Sequence, residues 1–448
     1  GVTVQISSDT LIGGAQIAIT DGDGRFVFNL LPPGMYSVEA TLAGFTPAGS
    51  TVQVTLDRTA TVNFKMLPET FTGEIVVEDS IPVVDTTQVN SSVVFDREFL
   101  QKASIGSAGR DYLSVLTQAA GVTNVAGGGG NPSVFGGTVG DNAYLIDGLN
   151  TSDPLLGTFG TNFNFDAIQE MNFQTGGFEA EFGQATGGIV NLVTKSGGNE
   201  FTGSLDIRFR NQKMTESGDH YDPDEQETQT QNISTTLGGP ILRDKLWFFV
   251  SVDNIDNKWQ GEDVQFPWNF QGWNYIGKIT WQAASNHRAV FKYSGDPAEI
   301  PGANAAQFIE ANAAGTQEQG GEILQVELNS VLGQSTLLNF QAGAVRQFLS
   351  YGPSDGDTEA NGHINEDTLW QSNSTLSVQD SDRDRDEIRL SLTQFVDHLA
   401  GAHEFKGGLE YNDLLFSGEI WFPGDARVYD QNSRFPDQAV DLNEDGYI

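Results

Sequence analysis

From Thr202 onward the chain alternates. Leu205, Ile207 and Phe209 fall on one face of an extended segment, with Asp206, Arg208 and Arg210 on the other, the period of a half-buried strand. The dyad returns as Tyr275, Gly277, Ile279 and Trp281 against Lys278, Thr280 and Gln282. It recurs as Leu324, Val326 and Leu328 against Gln325, Glu327 and Asn329, and as Ile388, Leu390 and Leu392 against Arg389, Ser391 and Thr393. About ten such strands are predicted from residue 201 to Ile448. A soluble sandwich also alternates. The charged face discriminates, because a transmembrane barrel hides it in a lumen and turns the apolar face to lipid. The cluster Lys245-Leu246-Trp247-Phe248-Phe249-Val250 predicts an interfacial aromatic girdle, and Gly238–Asp244 a short periplasmic turn.

The first half reads differently. Val2–Ile6, Gln16–Thr20, Phe26–Phe28, Tyr36–Leu42, Thr51–Leu56 and Ala60–Phe64 are short strands. Turns at Asp21-Gly22-Asp23-Gly24 and Pro32-Pro33-Gly34 separate them, as in a small sandwich. Residues 93–200 mix helix and strand. Asp96 is placed to cap a helix over Arg97–Lys102. A second helix, Asp111–Ala120, gathers Tyr112, Leu113, Leu116 and Ala120 and stops at Gly121. Asn142–Ile146 is a buried-type strand ending in the turn signal Asp147-Gly148.

Two stretches resemble known families. Thr20–Phe26, Leu31–Tyr36 and Gly44-Phe45 resemble the carboxypeptidase-regulatory-like domain, a transthyretin-like β-sandwich without catalytic residues. The resemblance implies a Pro-Gly turn, Tyr36 in the core, and entry at Gly1 in mid-domain. Tyr144-Leu145-Ile146-Asp147-Gly148, Glu170–Phe173, Phe178-Glu179-Ala180-Glu181-Phe182-Gly183 and Gly187-Gly188 through Asn199 resemble the plug of TonB-dependent outer-membrane receptors. Lys195–Asn199 followed by Glu200-Phe201-Thr202-Gly203 resembles the Oar-like branch. Ala120-Gly121-Val122 departs from the family, which commonly has Pro before this Gly.

The resemblance implies a mainly β chain: a sandwich over 1–68, a linker over 69–92, an α/β plug over 93–200, and the first strands of a large antiparallel transmembrane β-barrel over 201–448. The family's barrel has about 22 strands, and open strand edges are not tolerated in a bilayer. The chain is therefore expected to continue past Ile448. Glu74-Ile75-Val76-Val77 on its own reads as an ordinary edge strand. Its place ahead of the plug implies a TonB box, which pairs with the periplasmic domain of TonB by strand addition. The family usually carries Thr where Glu78 stands, which leaves the box's C-terminal edge open.

Composition then narrows the chemistry. Sixty acidic against 23 basic side chains give a formal net charge of -37, which argues against a nucleic-acid partner. The acidity serves either solubility or a set of cation-attracting loops. No cysteine is present, so disulfides and thiolate sites are excluded. No apolar run reaches the length of a membrane-spanning helix, and Gly1-Val2-Thr3-Val4 reads as strand rather than targeting peptide. High glycine, 52 residues, suits turns and a packed plug. Nucleophile elbows, phosphate loops and zinc-protease helices are missing, and Gly127–Gly130 lacks the Lys-Ser/Thr that a phosphate loop needs. The expectation is not an enzyme.

Three side-chain groups remain. Glu179 and Glu181, with the tight turns allowed by Gly183, Gly187 and Gly188, either pair with lumen arginines such as Arg208 or Arg210 or are plain surface carboxylates. His398 and His403 flank a hairpin turn and read as polar turn residues rather than metal ligands. Asp441, Asn443 and Asp445, with Gly446 and Ile448, match the first part of a calcium loop or simply form an acidic turn. No cofactor is required, and Ca2+ is the candidate ion. The expected partners are the TonB periplasmic domain, an unidentified extracellular ligand and outer-membrane lipid. The function implied is TonB-driven import through the outer membrane with the N-terminal domain in the periplasm. The alternative is a non-transporting adhesin or sensor.

Overall fold

In the computed structural model the described residues are 1–8, 10–11, 14–22, 24–28, 31–54, 60–68, 91–102, 112–125, 130–178, 180–183, 185–214, 227–333, 335–396, 403–430 and 438–440. No helix among them is long and apolar enough to cross a membrane. The molecule is mainly β throughout.

The N-terminal unit is a four-stranded sheet in the order β2 (Gln16–Ile19), β1 (Thr3–Ser7), β3 (Gly34–Thr41), β4 (Ala48–Val54). Alternation sets its core: Val4, Ile6, Tyr36, Val38 and Ala40 are buried. The Tyr36 hydroxyl donates to the Pro32 carbonyl at 2.8 Å, so a buried polar tip is satisfied. Phe26 and Phe28, expected as a strand, pack against this core without joining the sheet, and Phe64 does likewise.

The plug is a mixed five-stranded sheet, ordered β9 (Leu149–Asn150), β8 (Ala143–Ile146), β11 (Ile189–Thr194), β10 (Ile168–Gly176), β5 (Ser91–Phe95). Strands β8 and β11 run parallel; the other pairs are antiparallel. Every residue of β8 and β11 is buried, as expected of central strands covered on both faces. Helix α1 spans Arg97–Lys102, and the Asp96 carboxylate accepts from the Phe99 amide at 2.8 Å, the cap its spacing predicts. Helix α2 is shorter than expected, Tyr112–Leu116. The chain turns before Gly121, whose φ of 80° suits glycine. A small ribbon pairs β6 (Val122–Asn124) with β7 (Pro132–Val134).

The wall is one ten-stranded antiparallel sheet. Its path is β12 (Thr202–Asn211), β13 (Glu227–Leu242), β14 (Leu246–Gln260), β15 (Trp268–Ala284), β16 (His287–Gly295), β18 (Gly315–Leu332), β19 (Thr336–Pro353), β22 (Val378–Val396) and β23 (His403–Trp421). Short β17 (Ala298–Pro301) bridges β15 and β18. The dyads separate as the pattern predicts. Leu205, Ile207, Phe209, Trp281, Leu324, Ile388 and Leu390 point outward and are exposed, while Lys278, Thr280, Lys292, Gln325, Asn329 and Thr393 are buried inward.

Short turns at 243–245 and 285–286 lie at the end where the plug joins β12; the connections at 261–267, 302–314 and 354–377 lie at the other. That asymmetry marks periplasmic and extracellular ends.

Two expectations for this wall fail. Residues 238–242 do not form the turn, because β13 runs to Leu242 and the reversal is made by Arg243-Asp244-Lys245. Asp244 there takes φ 61°, the left-handed position of a three-residue hairpin. Trp247 and Phe249 are not part of a lipid girdle. Both are buried inward; Phe249 joins the plug core, and the Trp247 indole donates to Asn199 at 2.9 Å. Three apolar residues in a row cannot share one face of a strand, so the cluster splits around the alternation.

At the extracellular end, β20 (Gly362–Asn365) pairs with β21 (Gln371–Ser372) and, in parallel, with β24 (Arg427–Asp430), which pairs with β25 (Gln438–Val440).

Candidate functional site

Strands β8 and β9 are joined by the two-residue turn Asp147-Gly148. Both residues have positive φ, 50° and 79°, which is the turn that Asp-Gly favours in a hairpin. This tip points at the wall, and the wall answers with one side chain from each of five adjacent strands. Lys292 of β16 lies 2.9 Å and Lys278 of β15 3.7 Å from the Asp147 carboxylate. Gln325 of β18 and Gln341 of β19 donate to the Asp147 carbonyl at 2.9 and 2.8 Å. Arg389 of β22 donates to the Gly148 carbonyl at 3.1 Å.

The convergence follows from register. Lys278 is the cross-strand neighbour of Lys292, Lys292 of Gln325, and Gln341 of Arg389. The socket is therefore a belt at nearly one height. Thr194 adds its amide and hydroxyl to the Asp147 carboxylate at 2.8 and 2.7 Å. Burial alone would push this carboxyl up, but the two ammonium groups and the Thr194 donors hold it well below the usual carboxylate range. Unpaired, any of these charges would be costly to bury.

Above the socket, β22 follows the plug backbone. Glu387 accepts from the Asn150 amide at 3.4 Å, Arg385 approaches the Ser152 carbonyl at 3.5 Å, and Arg383 pairs with Asp153 at 3.0 Å. Gln347 donates to the Gly160 carbonyl and Thr161 hydroxyl at 2.5 and 2.8 Å, and Asp296 accepts from the Asn162 amide at 2.6 Å. Below the socket, Asn199 stitches the plug's exit to the first turn. It accepts from the Asp244 amide at 2.9 Å and donates to its carboxylate at 2.6 Å. Polar contacts are not the whole grip, because Phe249, Ile276, Ile323 and Val345 of the wall join the plug's apolar core.

The plug residues expected from sequence divide. Tyr144, Leu145 and Ile146 are buried and carry the turn to the wall. Gly148 supplies its left-handed φ. Gly187 and Gly188 serve close approach rather than a turn, since a Cβ would lie 2.6 Å from the Asn142 side-chain oxygen and 2.7 Å from the Phe173 ring, respectively. Gly183 follows the short helical turn Ala180–Phe182. Glu181 does not meet Arg208 or Arg210. It pairs with Lys406 of β23 at 2.6 Å, while Arg208 turns to Asp206 on its own strand at 2.7 Å. Glu181 and Lys406 lie on the rim of a cavity of about 650 Å³ between the plug and β22–β23.

Glu179, the box residues Glu74, Ile75, Val76 and Val77, His398, and Asp441, Asn443 and Asp445 lie outside the described residues. His403 opens β23 and stacks on Phe405. Among the described residues no group of three or more candidate metal ligands is assembled. Sequence reasoning missed Lys278, Lys292, Gln325, Gln341 and Arg389 as one site. The alternation placed three of them, Lys278, Gln325 and Arg389, on the inner face, but only register brings all five level.

A plug sheet held inside a lipid-facing antiparallel wall is the architecture of a TonB-dependent outer-membrane receptor. The first part matches the family model described as carboxypeptidase regulatory-like domain, over residues 1–67, and residues 193–267 match that of an outer membrane beta barrel domain. The sequence is 30% identical over 346 residues to the TonB-dependent transporter Oar of Myxococcus xanthus, covering 67% of this chain and 32% of that protein. The chain thus spans about a third of the length of the curated relative it matches.

Among solved structures, the outer membrane transporter YddB from Escherichia coli aligns with TM-score 0.59 at 13% identity, covering 78% of this chain and 51% of that one. The Pseudomonas aeruginosa siderophore receptor PirA aligns at TM-score 0.52 and 16% identity, covering 78% and 50%. P. aeruginosa FpvA bound to heterologous pyoverdines aligns at 0.55 and 13%, covering 80% and 46%. The chain groups with the TonB-dependent outer-membrane receptors, and within them its sequence is similar to Oar.

Proposed function

We propose that the chain is the plug-bearing part of an energised importer, in which an extracellular ligand binds at the long-loop end and TonB pulls on Glu74–Val77 from the periplasm. The observation that supports this most is the socket. A plug that must stay shut at rest needs a strong, geometrically defined hold, and one that must open needs a hold that fails when a single turn moves. Asp147-Gly148 meets both needs, because five wall side chains depend on that one turn. Displacing it by more than hydrogen-bond reach would release them together. The N-terminal sandwich then lies in the periplasm as a spacer or docking module. At the extracellular side, Asp441, Asn443 and Asp445 would bind Ca2+.

The test is binding of a peptide covering residues 72–80 to the periplasmic domain of the cognate TonB, wild type against Ile75→Pro. Proline removes a backbone donor and disrupts strand addition. Import predicts binding that the substitution abolishes. A wild-type peptide that does not bind refutes this box and leaves the adhesin or sensor.

A further inference from the structure

We infer that the extracellular loops carry a docking surface for a cationic peptide segment bearing an apolar side chain. This rests on the reading of the long-loop end as the ligand-facing end.

The loops form a built platform. Phe266, Ile309 and Ala313, from two different connections, share a small apolar core. The Gln371 amide donates to the Phe308 carbonyl at 2.8 Å, and the Glu310 amide to the Gln371 carbonyl at 2.9 Å, so the segments around 308 and 370 lie side by side. Asn361 donates to the Gly424 carbonyl at 3.0 Å, tying in the connection that follows β23. Interlocked loops present a surface in one shape, which lowers the ordering cost of binding.

That surface carries an apolar patch. Phe308 is 51% and Leu369 64% exposed, and Trp370 meets the Phe308 ring edge-on at 6.1 Å. Leu369 is held outward by a tight reversal, its amide donating to the Asn365 carbonyl at 2.7 Å. It does so at φ 62°, a conformation unfavourable for a residue with a Cβ.

Charge chooses the occupant. The connections 261–267, 302–314, 354–377 and 422–430 contain ten carboxylates and one arginine. That arginine, Arg427, is engaged by the Leu376 carbonyl at 2.9 Å and the Phe422 ring. Such a field repels anionic lipid headgroups, anionic small ligands and a second copy of this acidic chain. An uncharged sugar would gain nothing from it. A segment pairing lysines or arginines with an apolar side chain satisfies both the patch and the acidic connections that carry it.

The experiment titrates the detergent-solubilised protein with a short lysine-rich peptide carrying one tryptophan, and with its counterpart bearing glutamate for lysine. Only the lysine peptide should bind, more weakly as salt rises. Leu369→Gly keeps a residue suited to this φ while deleting the exposed side chain, and should weaken binding about tenfold. Glu366→Gln with Asp367→Asn should weaken it and flatten the salt dependence. Equal binding of both peptides, or unaltered affinity in Leu369→Gly, overturns the inference. Ile75→Pro separates the two readings: peptide binding should survive it while energised uptake is lost. Uptake of some other ligand without peptide binding sinks only the docking surface.

Discussion

Asp147→Asn probes the socket most directly. Asparagine is nearly isosteric and tolerates a left-handed φ, so the hairpin turn should persist. What changes is charge. Lys292, whose side chain is 1% exposed, loses the carboxylate 2.9 Å away, and Lys278 loses its partner at 3.7 Å. Among the described residues Lys278 keeps the Thr194 hydroxyl at 2.9 Å, whereas Lys292 keeps the Ile146 carbonyl at 3.4 Å and a neutral amide oxygen in place of the carboxylate. Removing one partner of a buried pair costs about 3 kcal/mol, which here falls on the seated plug. The fraction of unseated plugs should rise by about two orders of magnitude. Lys292→Met removes the more buried cation. The double variant should lose about 2 kcal/mol less than the two singles predict together, because neither charge is then stranded. The assay is conductance across planar bilayers as urea is raised: the single variant should open at lower urea than wild type. Openings at the wild-type urea concentration, or strict additivity in the double variant, would refute the ion-paired socket.

Three further outcomes follow from the same geometry. The seated plug holds the Asp147 carboxyl below its ordinary range, so this stabilisation is fully present above about pH 4 and fades as pH falls further. Resting conductance should stay flat from neutrality to about pH 4 and rise below it; a rise near neutrality would contradict the assignment. Gly343 lies against Leu149, where a Cβ would stand 2.4 Å from a methyl group. Gly343→Ala should loosen the plug by about 1–3 kcal/mol, and Leu149→Ala should relieve it, read by the same urea series. Finally, calcium should protect the segment around Asp441 from protease and a chelator should expose it, whereas cleavage indifferent to chelator removes the ion from the scheme.

The alternation made the wall legible, because a strand with one face in lipid must repeat every two residues. It also carried Lys278 and Gln325 to the inner face. It did not show that they stand level with Lys292, because register is a relation between strands far apart in sequence. The Trp247-Phe248-Phe249 cluster misled for a related reason. Apolar character alone does not say whether a side chain meets lipid or a packed plug, and this lumen contains both apolar and polar plug surfaces. For Glu181 the sequence leaves an ion pair with Arg208 or Arg210 and a plain surface carboxylate both open, and the pair it makes is with neither arginine. Its partner, Lys406, lies 225 positions away, beyond the reach of any local pattern.

The belt around Asp147 also bears on how the wall acquires its order. A strand that slips by one residue exchanges its two faces. Lys278 or Lys292 would then emerge toward lipid, at about 2–4 kcal/mol near mid-membrane, and the plug turn would face an apolar side chain instead of its partner. Strands β15, β16, β18, β19 and β22 can all satisfy that turn in only one alignment. In the seated state the plug turn and the wall's register thus specify one another: the gate is also a gauge that only one alignment of its frame fits.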